Sequence, residues 1–139
     1  MVGMSAAILQ GVPATTTDTD IWVDLPERQY VRLLNLVVSQ DGTPMARAVY
    51  GLSDGSLVNF IFRMTGLKGF AEEYESAREI VWNNLKVRVL PLARIYKSKH
   101  ETDREKDLAH LPLIRRVMRG QRRAGTLLGN CPAKKRGAK

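Results

Sequence analysis

The spacing of apolar positions changes several times along the chain, and each change marks an element. Residues 4–11, MSAAILQG, join strong helix formers to a closing glycine, so a short apolar helix ending at Gly11 is expected. Val12-Pro13-Ala14 and the run Thr15-Thr16-Thr17 break it. Residues 18–23, DTDIWV, alternate in the manner of a strand. Asp18, Asp20 and Trp22 then share one face, and Thr19, Ile21 and Val23 share the other, which is expected to meet the core. Asp24-Leu25-Pro26-Glu27 reads as a helix start, with Asp24 as cap and an early proline. That helix should run to about Gln40, with Tyr30, Leu33, Leu34 and Val37 as its apolar face.

Asp41-Gly42-Thr43-Pro44 reads as a turn. Ala46–Leu52 and Ser56–Arg63 read as strands joined through Asp54-Gly55, a hairpin signal. Thr65–Gly69 is a loop, and Phe70–Glu79 a short helix. Ile80–Trp82 and Val87–Leu90 are further strands separated by Asn83-Asn84. Leu92–His100 and Arg104–Arg119 read as helices, the second broken by Pro112. Interleaved strands and helices with one hairpin imply an α/β (α+β) domain, a mixed β-sheet flanked by helices. If that sheet needs a strand before Met4, only Met1-Val2-Gly3 can supply a stub. Periodicity fades after Gly120, so the chain divides into a domain over 1–119 and a basic, flexible tail over 120–139.

With 139 residues the chain can bury one core of ordinary size. No apolar run approaches the ~18 residues of a membrane span, and no secretory leader is visible. A single cysteine, Cys131, excludes an internal disulfide framework and any multi-cysteine metal site. A reduced, cytoplasmic setting is expected. Charge is divided unevenly. Residues 1–85 hold six Lys and Arg against ten Asp and Glu, and residues 86–139 hold sixteen against four. From Arg115 onward nine basic residues and no acid occur, which points to a polyanion partner or a solvated tail.

Asp18 and Asp20 are the most informative pair. Two carboxylates on one strand face repel unless a cation or donors offset them. A hard divalent cation such as Mg²⁺ takes one or two carboxylates and fills its other positions with water and phosphate oxygens. Gly3-Met4-Ser5 opens the preceding helix, where backbone N–H groups and the Ser5 hydroxyl offer an anion site facing the same space. Lys99 and Lys106 are candidates to reach a phosphate, with Asp107 orienting one of them. The bland alternative for these three is a charged helix face. His100 and His110 read as structural or exposed, and Trp22 and Trp82 as core residues.

The stretch GMSAAILQGVPATTTDTDIWVDLP resembles the signature of the minimal nucleotidyltransferases, in the DNA polymerase β-like nucleotidyltransferase superfamily. A second stretch, VRVLPLARIYKSKHETDREKDLAHLPLIRRVMR, resembles the C-terminal part of the abortive-infection toxin-type branch, with Ser98-Lys99 and Lys106-Asp107-Leu108 in the family's places. The resemblance runs in order over residues 2 to about 119. It implies a nucleotidyltransferase-like fold in which Gly3 and Ser5, with Lys99 and Lys106, bind nucleotide. Asp18 and Asp20 would be catalytic and would ligate Mg²⁺ (or Mn²⁺). The family's third acid falls at Asn59, which can offer a carbonyl to the metal but brings no charge. Asp54, Glu72 and Glu73 lie near but off that strand position. The family also has a helix and strand before the Gly-Ser motif, of which only residues 1–3 are present, so either the member is N-terminally truncated or its sheet is completed differently.

The function implied is transfer of a nucleoside monophosphate from Mg–NTP to a hydroxyl acceptor: an RNA end such as tRNA, a protein or a small molecule. A catalytically impaired relative, working through a partner protein as in a toxin–antitoxin pair or as a homo-oligomer, is the alternative that Asn59 motivates. A nucleic-acid-binding module driven by the basic tail is the third.

Overall fold

The computed structural model describes residues 1–129. Its elements are α1 (Gly3–Leu9), β1 (Asp18–Trp22), α2 (Glu27–Ser39), β2 (Thr43–Ala46), β3 (Val49–Gly51) and β4 (Leu57–Ile61), then α3 (Phe70–Ser76), β5 (Arg78–Trp82), β6 (Leu85–Val89), α4 (Leu92–Thr102) and α5 (Glu105–Gly129). This is the α+β class, a mixed sheet with helices on it. Four strands run in the order β1-β4-β3-β2, with β1 parallel to β4 and the other pairs antiparallel. β5 and β6 form a separate hairpin, turned by Asn83 and Asn84, both at positive φ. Two such residues make the tight turn whose twist suits a hairpin.

Met1 and Val2 join these two sheets. Val2 bridges antiparallel to Asp20, its N–H donating to the Asp20 carbonyl at 2.9 Å. On its other side the Met1 ammonium donates to the Arg88 carbonyl at 2.7 Å, and the Leu90 N–H donates to the Met1 carbonyl at 3.0 Å. The expected strand stub therefore exists, two residues long, and it lies between β1 and β6.

Helices lie on both faces of the β1–β4 part of the sheet, while β2 is exposed along its length. On one, Tyr30 of α2 packs edge-on against Phe60 and Phe62, with ring centres 6.1 and 5.1 Å apart. On the other, α1, α4 and α5 close over a core that includes Val2, Met4, Ala6, Ala7, Trp22, Val89, Ile95 and Ile114. Trp22 packs edge-on against Phe70 at 5.6 Å within it. The expectation that Ile21 and Val23 carry the core face of β1 is thus corrected. The main core lies on the Asp18–Asp20–Trp22 side, because helices cover both faces and the strand's burial deepens toward Trp22. Trp82 is exposed near the hairpin tip rather than in the core.

Several boundaries move. Pro44 is part of β2 rather than of a turn, on the outer edge of the sheet where its missing N–H costs no ladder bond. The tight connection is Arg47-Ala48, with Ala48 at φ 59°. α3 stops at Ser76, and Glu79 belongs to β5. Asp24 makes no cap, since Pro26 occupies the cap position of α2 and no side chain bonds there. Pro112 does not break α5, which continues through it and on past Arg119 to Gly129. The proline sits on the exposed side, where water can take the carbonyl left without a donor, while Ile114, two residues on, is buried in the core. The remainder of the expected tail, 130–139, lies outside the described residues. Among the described helices none is long and apolar enough to cross a membrane.

Candidate functional site: a cleft with an acidic and a basic wall

β1 enters the sheet through Thr15-Thr16-Thr17. The Asp18 N–H donates to Thr16 Oγ1 at 3.1 Å, and Thr17 Oγ1 donates to Asp18 Oδ1 at 3.1 Å. These bonds fix the first acid of the strand. Asp20 follows two residues on and shares its face. Parallel register sets Asp20 beside Asn59 of β4, and Asn59 Nδ2 donates to Asp20 Oδ1 at 2.9 Å. Asn59 thus meets Asp20 as a hydrogen-bond donor. The expected use as a cation ligand calls on its Oδ1, an atom that the Nδ2 bond does not engage.

α1 is braced against this strand. Ser5 Oγ donates to the Val2 carbonyl at 3.1 Å and accepts the Asp20 N–H at 3.3 Å. The hydroxyl expected to hold phosphate is engaged in joining helix to strand. Gly3 stands at φ +65°, and a Cβ there would collide with Asp20 Oδ2 and lie 3.1 Å from its Cγ. Glycine is required both for the backbone conformation and for the closeness of the acid. Gly3 and Ser5 therefore act by placing Asp20.

The facing wall comes from the α4–α5 hairpin. Asp107, buried near the start of α5, accepts Lys99 Nζ at 2.6 Å and Arg104 Nε at 2.9 Å. Burial works to raise the Asp107 carboxyl, but the bond and charge of Lys99, joined by Arg104, outweigh it and hold the group below the usual carboxylate range. Asp107 thus holds Lys99, whose side chain is only 12% exposed. Together the two walls enclose a cleft of about 650 Å³. Asp18, Asp20, Asn59, Lys99 and Lys106 all line it, as do the threonines of residues 15–17.

Arg104 and His110 also line it, and the sequence reading gave neither a place there. The signal for Arg104 is its position three residues before Asp107, just ahead of α5. His110 carries no comparable signal. Its Nδ1 is buried without a partner, and burial, aided by the Lys99 charge, pulls the imidazole below its ordinary value. It is neutral at physiological pH.

Asp18 and Asp20 are the only described carboxylates on the acidic wall, and among the described residues no group of three or more His, Cys, Asp or Glu is placed to hold a metal. No protein-family model matches the chain, and no curated protein matches its sequence.

Proposed function

We infer that the cleft binds an NTP together with Mg²⁺ or Mn²⁺ and that the chain is a nucleotidyltransferase moving a nucleoside monophosphate to a hydroxyl acceptor. One observation carries this reading. An acid pair on one strand face looks across a single cleft at Lys99, Arg104 and Lys106. The donor set fits a hard divalent cation that keeps water and phosphate oxygens as its other ligands. Asp18 and Asp20 would hold the ion, whose contribution when bound is to neutralise phosphate charge at the acidic wall.

The chain's own groups do the rest. Lys99, oriented by Asp107, and the neighbouring Arg104 and Lys106 face the phosphates as donors. Gly3 and Ser5 keep Asp20 in position. His110, neutral, presents a polar edge without adding charge. Asn59 can neither take a proton nor supply a negative charge.

That last property favours a second reading, in which the cleft binds metal and nucleotide but does not turn them over, and the protein acts through a partner. Isothermal titration of Mg–ATP, the other Mg–NTPs and ATP in EDTA into wild type and the Asp18→Asn/Asp20→Asn double variant separates the two. Pyrophosphate release is followed on the same samples. Metal-dependent binding with release, both lost in the variant, is the expected result. Binding without release supports the second reading. Absence of binding to wild type at millimolar Mg–NTP refutes both.

A further inference from the structure

A second concavity, of about 850 Å³, lies on another face of the α4–α5 hairpin and shares no lining residue with the cleft. Its charge is of one sign. Arg115, Arg119 and Arg123 stand one turn apart along α5, and Arg116 adds a fourth guanidinium to the lining. No Asp or Glu occurs in the sequence after Asp107. Among the described residues Arg116, Arg119 and Arg123 form no ion pair, and they are exposed. Cations stacked four residues apart repel one another, so the row costs helix stability, and among the described residues no acid is paired with Arg116, Arg119 or Arg123 to offset it.

Beside the row stands a short column of flat groups. The Arg115 guanidinium lies over the Tyr96 ring, 5.3 Å from its centre, and also donates to the Tyr96 hydroxyl. On α4 the His100 ring is stacked near-parallel on Tyr96 at 6.4 Å and 21°. His100 is exposed, so an end of the column is open. The row from Arg115 to Arg123 covers about 12 Å at 1.5 Å per residue. Arg115, Arg119 and Arg123, with Arg116 beside them, can offer guanidiniums to about three or four phosphates of a single strand. Regularly spaced cations beside an open aromatic face are the two elements from which single-strand nucleic-acid grooves are built.

We propose that this face of the α4–α5 hairpin binds single-stranded nucleic acid, with phosphates along Arg115, Arg119 and Arg123 and a base stacked on the Tyr96–His100 column. The inference stands whether or not the cleft transfers nucleotides, since the two surfaces are separate.

The test uses the full chain and a fluorescein-labelled oligouridine 12-mer, followed by anisotropy from 50 to 200 mM salt. About three or four neutralised phosphates give a slope of log K on log salt near −2 to −3, or roughly a 30-fold loss over that range. Arg115→Gln/Arg119→Gln/Arg123→Gln should weaken binding at low salt by at least tenfold and flatten the slope by about two. These side chains are exposed, and an unchanged melting temperature checks that the variant is folded. His100→Ala should cost about fivefold or more at unchanged slope, because stacking is not screened by salt. Three outcomes overturn the proposal: no binding at 50 mM salt, binding that survives the triple variant and so belongs to the basic residues beyond 129, and equal affinity for an acidic peptide of matched charge.

Discussion

Replacing Asn59 by Asp places a third carboxylate in the cleft, and the cost can be worked out from the geometry. Asn59 Nδ2 donates to Asp20 Oδ1 at 2.9 Å. A hydrogen bond to a charged group contributes about 1.5–3 kcal/mol, and the variant loses it. In its place stand two like charges about 4 Å apart, which repel by about 1 kcal/mol in water and about 4 kcal/mol at an effective dielectric of 20. Both residues are half-buried and open onto the cleft, so the lower part of each range applies. Together they come to about 3 kcal/mol, or roughly 10 °C in Tm for a domain of this size. A divalent ion reverses the penalty. At about 100 times its Kd a ligand stabilises by about 2.7 kcal/mol, enough to recover most of the loss. The assay is a pair of thermal melts, in EDTA and in Mg²⁺, for wild type and Asn59→Asp. Wild type should gain less from Mg²⁺ than the variant does, having one carboxylate fewer. Equal melting in EDTA, or an equal Mg²⁺ gain in both proteins, would falsify the placement of Asn59 beside a cation-binding acid.

Gly3→Ala should destabilise the fold by at least about 2 kcal/mol through its positive φ and weaken Mg–ATP binding more than tenfold by displacing Asp20; unchanged titration refutes the role given to Gly3. Glu73, 3% exposed, accepts from Arg94 and from the Lys68 N–H at 3.0 Å, so Glu73→Gln should cost about 3 kcal/mol in urea unfolding at pH 7. The Arg94 bond holds the Glu73 carboxyl below its ordinary range in the folded protein. Its stabilisation is therefore complete above the ordinary carboxylate range and is lost as pH falls through the lowered folded value, so the gap between wild type and variant should close in acid. A gap independent of pH contradicts this. Pro112→Ala, at an exposed position inside a continuous helix, should raise the urea midpoint by an amount worth about 1–3 kcal/mol; a lowered midpoint shows that the ring is needed for packing.

Local signals found the site-bearing elements well because their chemistry is local. Gly11 ends α1, period-two alternation marks β1, Asp54-Gly55 turns β3 into β4 and Asn83-Asn84 turns β5 into β6. Each rests on residues only a few positions apart. What failed depended on distant partners. Which face of β1 meets the core is decided by α4 and α5, far along the chain, and both faces carry apolar residues. Pro112 reads as a break, yet α5 continues through it, with Ile114 buried in the core two residues on. The Arg47-Ala48 turn escaped because Ala48 takes a positive φ that nothing in its residue type announces.

The candidate site shows the same division. The acid pair was legible from type and spacing, Lys99 was marked by the resemblance at Ser98-Lys99, and both line the cleft. The contacts of Ser5 and Asn59 were not legible, because each is made to a residue distant in sequence. Ser5 reaches Asp20 across fifteen residues, and Asn59 reaches it across thirty-nine. A hydroxyl after a glycine at a helix start suits a phosphate as well as it suits a backbone amide, and only the packed strand decides which it meets.

Under the proposed function, the charges lining the cleft favour metal and phosphate bound together over either alone. One wall carries Asp18 and Asp20 and the other carries Lys99, Arg104 and Lys106 with Asp107 among them, so the formal charges cancel overall while opposite charges face each other across the cleft. Asp107 is already committed to Lys99 and Arg104, which leaves the strand acids facing cations that are partly neutralised. A bare cation at Asp18 and Asp20 meets repulsion from the opposite wall. A bare triphosphate among the basic residues meets repulsion from the acids. A metal held on a phosphate chain presents the opposite sign to each wall at once, and the interactions that oppose either ligand alone then favour the pair. The Asn59 amide fits this arrangement without a third acid, because a donor to Asp20 stabilises the acidic wall when no cation is there.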